Sequence, residues 1–167
     1  MNFARHITRT IHDEHLETIG LVNRIEQRVM AHRPNDPPDA KDPQVGNLLR
    51  DIANSVEAEI KTHFAFEEGS LFPKLEAMGD TGIGELLTEE HQVLLPIGEE
   101  LVARARAARE EGFTQESWAE FRRLAGEFAE RMVAHIQKEE MGLLPILDDI
   151  IDEDQDAELS NAYAMSR

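Results

Sequence analysis

The chain has 167 residues, 34 acidic against 17 basic side chains, a formal charge of −17 and no cysteine. One domain over 1–167 is expected, burying about 70% of its unfolded surface. The charge argues against a nucleic-acid partner, and the missing cysteines exclude disulfides, thiolate catalysis, iron–sulfur clusters and Cys-held zinc. No apolar run approaches the roughly 18 residues of a membrane span, and the N-terminus lacks the apolar core of a signal peptide, so no membrane partner and a cytoplasmic setting are expected. Leu, Ala, Glu and Arg outweigh β-branched and aromatic residues, which favours helix over sheet.

Helix one is read from Phe3, Ile7, Ile11, His15, Ile19, Val22, Ile25 and Val29, spaced by threes and fours. It ends near Arg33, because Pro34-Asn-Asp-Pro-Pro-Asp-Ala-Lys-Asp-Pro43 cannot continue a helix. Helix two carries Val45, Leu49, Ile52, Val56, Ile60, His63 and Glu67 and is bent or stopped at Pro73, with a turn from Gly79 to Gly82. Helix three runs through Ile83, Leu87, His91, Leu95, Leu101 and Ala105 to about Gly112. Thr114 is read as the N-cap of helix four, which carries Phe121, Ala125, Phe128, Met132, His135 and Glu139 until Pro145 perturbs its end. The core spans about 5–150, and the acidic tail from Asp148 onward, chiefly 151–167, is expected at the surface.

Two halves of the chain repeat one pattern. His63-Phe-Ala-Phe-Glu67-Glu-Gly-Ser-Leu71-Phe-Pro73 and His135-Ile-Gln-Lys-Glu139-Glu-Met-Gly-Leu143-Leu-Pro145 share H-x-x-x-E-E-x-x-L-x-P at an offset of 72. Upstream, Asp13-Glu14-His15 and Glu89-Glu90-His91 correspond at an offset of 76, as do Ile7 with Ile83 and Ile19 with Leu95. The fold class expected is all-α, an up-down-up-down four-helix bundle with an internal two-fold pseudo-repeat. His15 stands about 18 residues before the end of helix one and His63 about 19 after the start of helix two. At about 1.5 Å per residue, antiparallel neighbours bring them level, and His91 and His135 behave alike.

A single histidine on an apolar stripe is most simply a core residue, and one H-x-x-x-E pair is commonly a surface contact. Six such groups at one height, on inward stripes, form a different pattern. Buried without metal, they would leave unsatisfied polar groups. The expected metal ligands are His15, His63, Glu67, His91, His135 and Glu139. His63 and Glu67, like His135 and Glu139, are i,i+4 pairs able to grip one ion, and each carboxylate has a second oxygen for another ion roughly 3.5–4 Å away. Histidine and carboxylate suit iron, manganese or zinc. His6 and His32 are expected at the surface, and His12 beside the site in a structural role. Glu68 and Glu140 are turned toward water or the backs of the ligands. Trp118 and Phe121 are read as core; the pattern does not place Tyr163. Phe64, Phe66, Phe72, Leu94, Phe128 and Ile136 are expected to wall the site from water.

These residues resemble the hemerythrin-like HHE cation-binding family from about residue 5 to 150. His15, His63-x-x-x-Glu67, His91 and His135-x-x-x-Glu139 follow that family's ligand order, and the trailing L-F-P and L-L-P agree. The resemblance implies a four-helix bundle holding two non-haem iron ions, oxo- or hydroxo-bridged, with manganese or zinc as second choices. It implies reaction with a small diatomic or with peroxide. The oxygen-carrying members have a second histidine where this chain has Leu95 and an aspartate where it has Glu139. The four-His, two-Glu set is more similar to the branches that react with O2, peroxide or nitric oxide, with weak redox turnover, or that sense oxygen, iron or redox state through a separate protein. Reversible O2 binding or storage is the further alternative.

Overall fold

The computed structural model describes residues 3–166, all helix, turn and loop with no strand among them. The helices are α1 (His6–Ala31), α2 (43–76), α3 (Gly82–Glu111), α4 (115–150) and α5 (Glu153–Ser166). Helix α4 packs against both α1 and α3, α2 lies against α3, and α5 lies on α1. No helix among the described residues is long and apolar enough to cross a membrane.

Local chemistry sets most of the helix ends. Pro43 opens α2 behind Asp42, whose side chain accepts from the Gln44 and Val45 amides at 2.8 and 3.2 Å. Thr114 and Ser117 form a reciprocal capping box on α4, and Gly112 ends α3 with φ of 81°. The start of α1 is different: Arg5 offers no side-chain cap. Its free amides are satisfied from the far end of the chain. Asp148 accepts from Ala4 and Arg5, and Asp156 from His6 and Ile7, at 2.7–2.9 Å. Carboxylates there also meet the positive end of the helix dipole.

Neither Pro73 nor Pro145 ends its helix. Each follows directly on a π-helical turn, Glu67–Leu71 in α2 and Glu139–Leu143 in α4, in which the Phe72 and Leu144 amides reach back to the carbonyls of Glu67 and Glu139; α2 has two more such turns upstream, Ile52–Val56 and Glu59–His63. A proline lacks the amide hydrogen and presses on the carbonyl four residues back; widening the preceding turn relieves both faults. The helices therefore continue, α2 to Glu76 and α4 to Ile150.

Two corrections follow for the apolar stripes. Leu95 is 38% exposed and Ile19 only partly buried; Leu94 and Thr18, one residue earlier in each helix, take the inward places. In α3 the buried run is His91, Leu94, Gly98 and Leu101, and Leu95 lies about 100° round the helix from Leu94. The acidic tail is not simply surface. Ile151, Leu159 and Tyr163 are buried, the latter two on α5.

The buried hydrophobics form two clusters. One includes Leu21, Ile25, Ile60, Leu94, Phe128 and Ile136; the other includes Ile7, Ile11, Leu71, Leu87, Leu143 and Tyr163. Along α1, α2, α3 and α4 the ligand candidates fall where the chain passes from one cluster to the other.

At Gly98 the α2–α3 approach leaves no room for a side chain. A Cβ there would stand 3.0 Å from Ile60 Cγ2 and 3.3 Å from Val56 Cγ1, both in the core. Gly98→Ala should destabilise the protein by about 1–3 kcal/mol, less what helix propensity returns. Gly126→Ala, which meets nothing within 4 Å, should stabilise it by up to about 1 kcal/mol. Thermal or urea denaturation reads both; equal effects would contradict the close approach.

Candidate metal centre

The six sequence-predicted residues come together in one buried layer. His15, His63, His91 and His135 are 1–3% exposed and Glu67 and Glu139 0%. They form two overlapping groups, His15, His63, Glu67, Glu139 and Glu67, His91, His135, Glu139, each with its donor atoms within 4.8 Å of one another.

Each glutamate reaches into both groups. Glu67 Oε1 lies 3.2 Å from His63 Nε2 and its Oε2 3.4 Å from His91 Nε2. Glu139 Oε2 lies 2.9 Å from His15 Nε2 and its Oε1 2.8 Å from His135 Nε2. Close as they are, these pairs are not aligned as hydrogen bonds. Both oxygens of Glu67 and of Glu139, and Nε2 of His15 and His63, are buried without a hydrogen-bond partner. Such atoms are costly to bury unless a cation takes them.

The outer nitrogens are all held by carboxylates. Nδ1 of His15 meets Glu140 at 2.6 Å, His63 meets Glu14 at 3.1 Å, His91 meets Glu68 at 2.8 Å and His135 meets Glu90 at 2.9 Å. A neutral histidine that donates from Nδ1 has a bare lone pair on Nε2, the tautomer a metal requires, and the carboxylate fixes the ring and makes it a better donor. His91 and His135 bring their Nε2 atoms within 3.1 Å of each other. Two bare lone pairs repel at that distance, so a proton or a cation belongs between them.

Where there is no cation, protons serve. Burial alone would lower the His15 pKa, but Glu139 and Glu140 outweigh it and push it up to about 9. His91 is likewise pushed up to about 9, against burial, by Glu139, Glu67 and Glu68. His63 and His135 are also raised, burial again opposing, chiefly by Glu59 and Glu67 and by Glu139 respectively. Burial would raise Glu139, yet His135, His15 and His91 hold it well below the usual carboxylate range.

Of the bordering residues, Glu68 and Glu140 sit behind His91 and His15, and His12 shares Glu140 at 2.9 Å. His6 is exposed, whereas His32 is half-buried with its ring edge-on to Trp118. Trp118 and Phe121 are core. Phe64 stacks on His91 with 3.8 Å between ring centroids, and Phe72 lies over the same ring at 5.9 Å.

The sequence reading did not assign Glu14, Glu90, Glu59 or Tyr163. Glu14 and Glu90 were visible as the residue before each upstream histidine. Tyr163 gave no signal: it reaches the site from α5, is 3% exposed, donates to Glu14 and lies 3.4 Å from His63 Nδ1. Glu59 is buried beside His63, accepts from Thr18 Oγ1 at 3.1 Å, and has its pKa raised by burial. Glu14, Thr18, Glu59, His63 and Tyr163 line a cavity of about 240 Å³.

These pKa shifts give a pH dependence of definite sign. In metal-free protein, His15 and His91 keep their protons to about pH 9 when folded but only to about 6.5 when unfolded. Their contribution to stability is complete below about 6.5 and is lost as pH rises through about 9. Metal binding needs neutral imidazole and so strengthens over the same range. The melting temperature of metal-free protein should therefore fall between about pH 6.5 and 9 while that of zinc-loaded protein does not. Parallel profiles would contradict the cage as described.

The hemerythrin HHE cation binding domain model matches residues 6–147, which contain all six convergent His and Glu residues. No curated protein matches the sequence. The match spans most of the chain, and the buried His and Glu groups it encloses are of the kind that bind cations. The chain belongs to the hemerythrin HHE cation-binding family.

Proposed function

We propose that this protein is a non-haem di-iron protein that reacts with O2, peroxide or nitric oxide, its two ions held by His15, His63, Glu67, His91, His135 and Glu139. The helices are read as an up-down-up-down four-helix bundle whose halves repeat one ligand pattern. The observation that carries this reading is that Glu67 and Glu139 each direct one oxygen toward each histidine pair. A pair of iron ions in such a cage supplies redox electrons and open coordination positions for a small ligand.

The chain's own residues support that chemistry in three ways. Each ion would meet two imidazoles and share two carboxylates, four protein groups where iron favours six. The carboxylates behind each Nδ1 hold the rings in place and sustain their donor strength. Phe64, Phe72, Leu94 and Ile136 are buried around the site and exclude water from one side, while the cavity at His63 is of a size for a few water-sized molecules. With Leu95 facing outward, no residue there supplies the additional imidazole of the oxygen carriers, and irreversible oxidation is favoured over reversible carriage.

A second reading, a sensor acting through a separate protein, is favoured by one contact. Tyr163 ties α5 to Glu14 and thereby to His63, so a change at the site is transmitted to a surface helix.

Iron-replete protein should contain two ions per chain by elemental analysis; one ion at saturation would refute the dinuclear reading. Glu67→Ala and Glu139→Ala should weaken both ions, His15→Ala and His91→Ala mainly one. On mixing reduced protein with O2, the visible spectrum should change and stay changed after purging with inert gas. Full reversal on purging would instead restore O2 binding or storage.

A further inference from the structure

The two halves of the cage are built alike but surrounded differently. Glu14 and Glu90 correspond at the offset of 76, and each backs one histidine, His63 and His135. Their remaining partners differ. Glu14 accepts the neutral phenol of Tyr163, whereas Glu90 holds the Lys138 ammonium at 2.7 Å. One turn before each of these histidines the charge itself reverses. Position 59 is a glutamate, 6% exposed, hydrogen-bonded to Thr18 and lining the cavity at His63. Its counterpart at the offset of 72 is Arg131, at the surface and paired with Glu127 at 3.2 Å.

We propose that Glu59 and Lys138 make the two metal positions unequal, the one held by His15 and His63 binding its ion more tightly than the one held by His91 and His135. This rests on the dinuclear reading above. Glu59 places a carboxylate beside His63 in a region that water screens poorly, where its attraction for a dication is strong. It lines the same cavity as His63 and is not among the residues that would hold the ion. Lys138 works in the opposite sense as a positioning residue acting through Glu90. Its ammonium competes with the His135 Nδ1–H for that carboxylate, which leaves His135 Nε2 a weaker donor, and it adds positive charge on the same side.

The asymmetry is measurable without any turnover. Metal-free full-length protein is titrated with Zn2+ alone by calorimetry, and the ion in half-loaded crystals is located by zinc anomalous scattering. Two steps differing by about tenfold or more are expected, since groups behind metal ligands typically change affinity by 10–100-fold, with the first ion on His15 and His63. Glu59→Gln should weaken the first step by about tenfold and leave the second nearly unchanged. Lys138→Met should tighten the second step several-fold and leave the first. Each variant thus narrows the gap from its own side, a pattern that general loosening of the fold would not produce. Lys138 is partly exposed, so its variant tests the idea even if Glu59→Gln fails to fold. Two equal steps, a first ion on His91 and His135, or both steps shifting together in either variant would overturn the proposal and leave the dinuclear reading intact. Uptake of fewer than two ions would overturn the dinuclear reading and this proposal with it.

Discussion

Burying Glu67 and Glu139 completely among four imidazoles is the constraint around which this molecule is arranged. An ionised carboxylate taken out of water costs several kcal/mol even after relaxation, and here neither glutamate forms a hydrogen bond. Only positive charge at the centre of the cage offsets that cost. Without metal the imidazoles supply it by holding their protons to higher pH than usual; a bound cation would supply it in their place and displace those protons. Binding a cation and losing protons would therefore be one event.

The surroundings of that layer serve the same constraint. An apolar cluster on each side keeps water away. Four further carboxylates, Glu14, Glu68, Glu90 and Glu140, stand behind the rings and turn every Nε2 inward. The chain supplies them by duplication. The glutamate before each upstream histidine backs the histidine of the neighbouring helix, and the one after each ligand glutamate backs an upstream histidine. Two of the π turns belong to the same logic. Of the four among the described residues, Glu67–Leu71 and Glu139–Leu143 begin at a candidate ligand glutamate and are followed by a proline, so wide turn and glutamate are placed together there, while Ile52–Val56 and Glu59–His63 lie earlier in α2.

The likeness of the halves is broken inside the family match by Glu59 and Lys138, and past residue 147, where that match ends, by the C-terminal region. Asp148 and Asp156 cap a helix that has no cap of its own, and this holds the C-terminal region against the start of α1. Tyr163 is thereby delivered to Glu14. The same addition both completes the fold and gives one histidine pair a setting the other lacks.

The helices and the ligand candidates were legible in the sequence because both depend on local periodicity. A stripe of threes and fours states which face is buried, proline and glycine mark the boundaries, and an i,i+4 pair shares a face whatever lies opposite. Repetition at offsets of 72 and 76 made the six residues stand out from ordinary buried histidines. Periodicity did not resolve neighbours such as Leu94 and Leu95, where two leucines compete for one inward place and contact with α2 and α4 decides. Nor could it show that Pro73 and Pro145 would be absorbed by π turns, since that choice depends on what the continuing helix gains by packing. The remaining features join residues distant in sequence: Glu14 to His63, Lys138 to Glu90, Asp148 to the α1 amides and Tyr163 to the metal centre. No local pattern encodes such pairs. Residues and spacing alone determined an all-helical chain with a His and Glu cage; which carboxylate backs which imidazole, and which half is capped by a phenol, only tertiary packing decided.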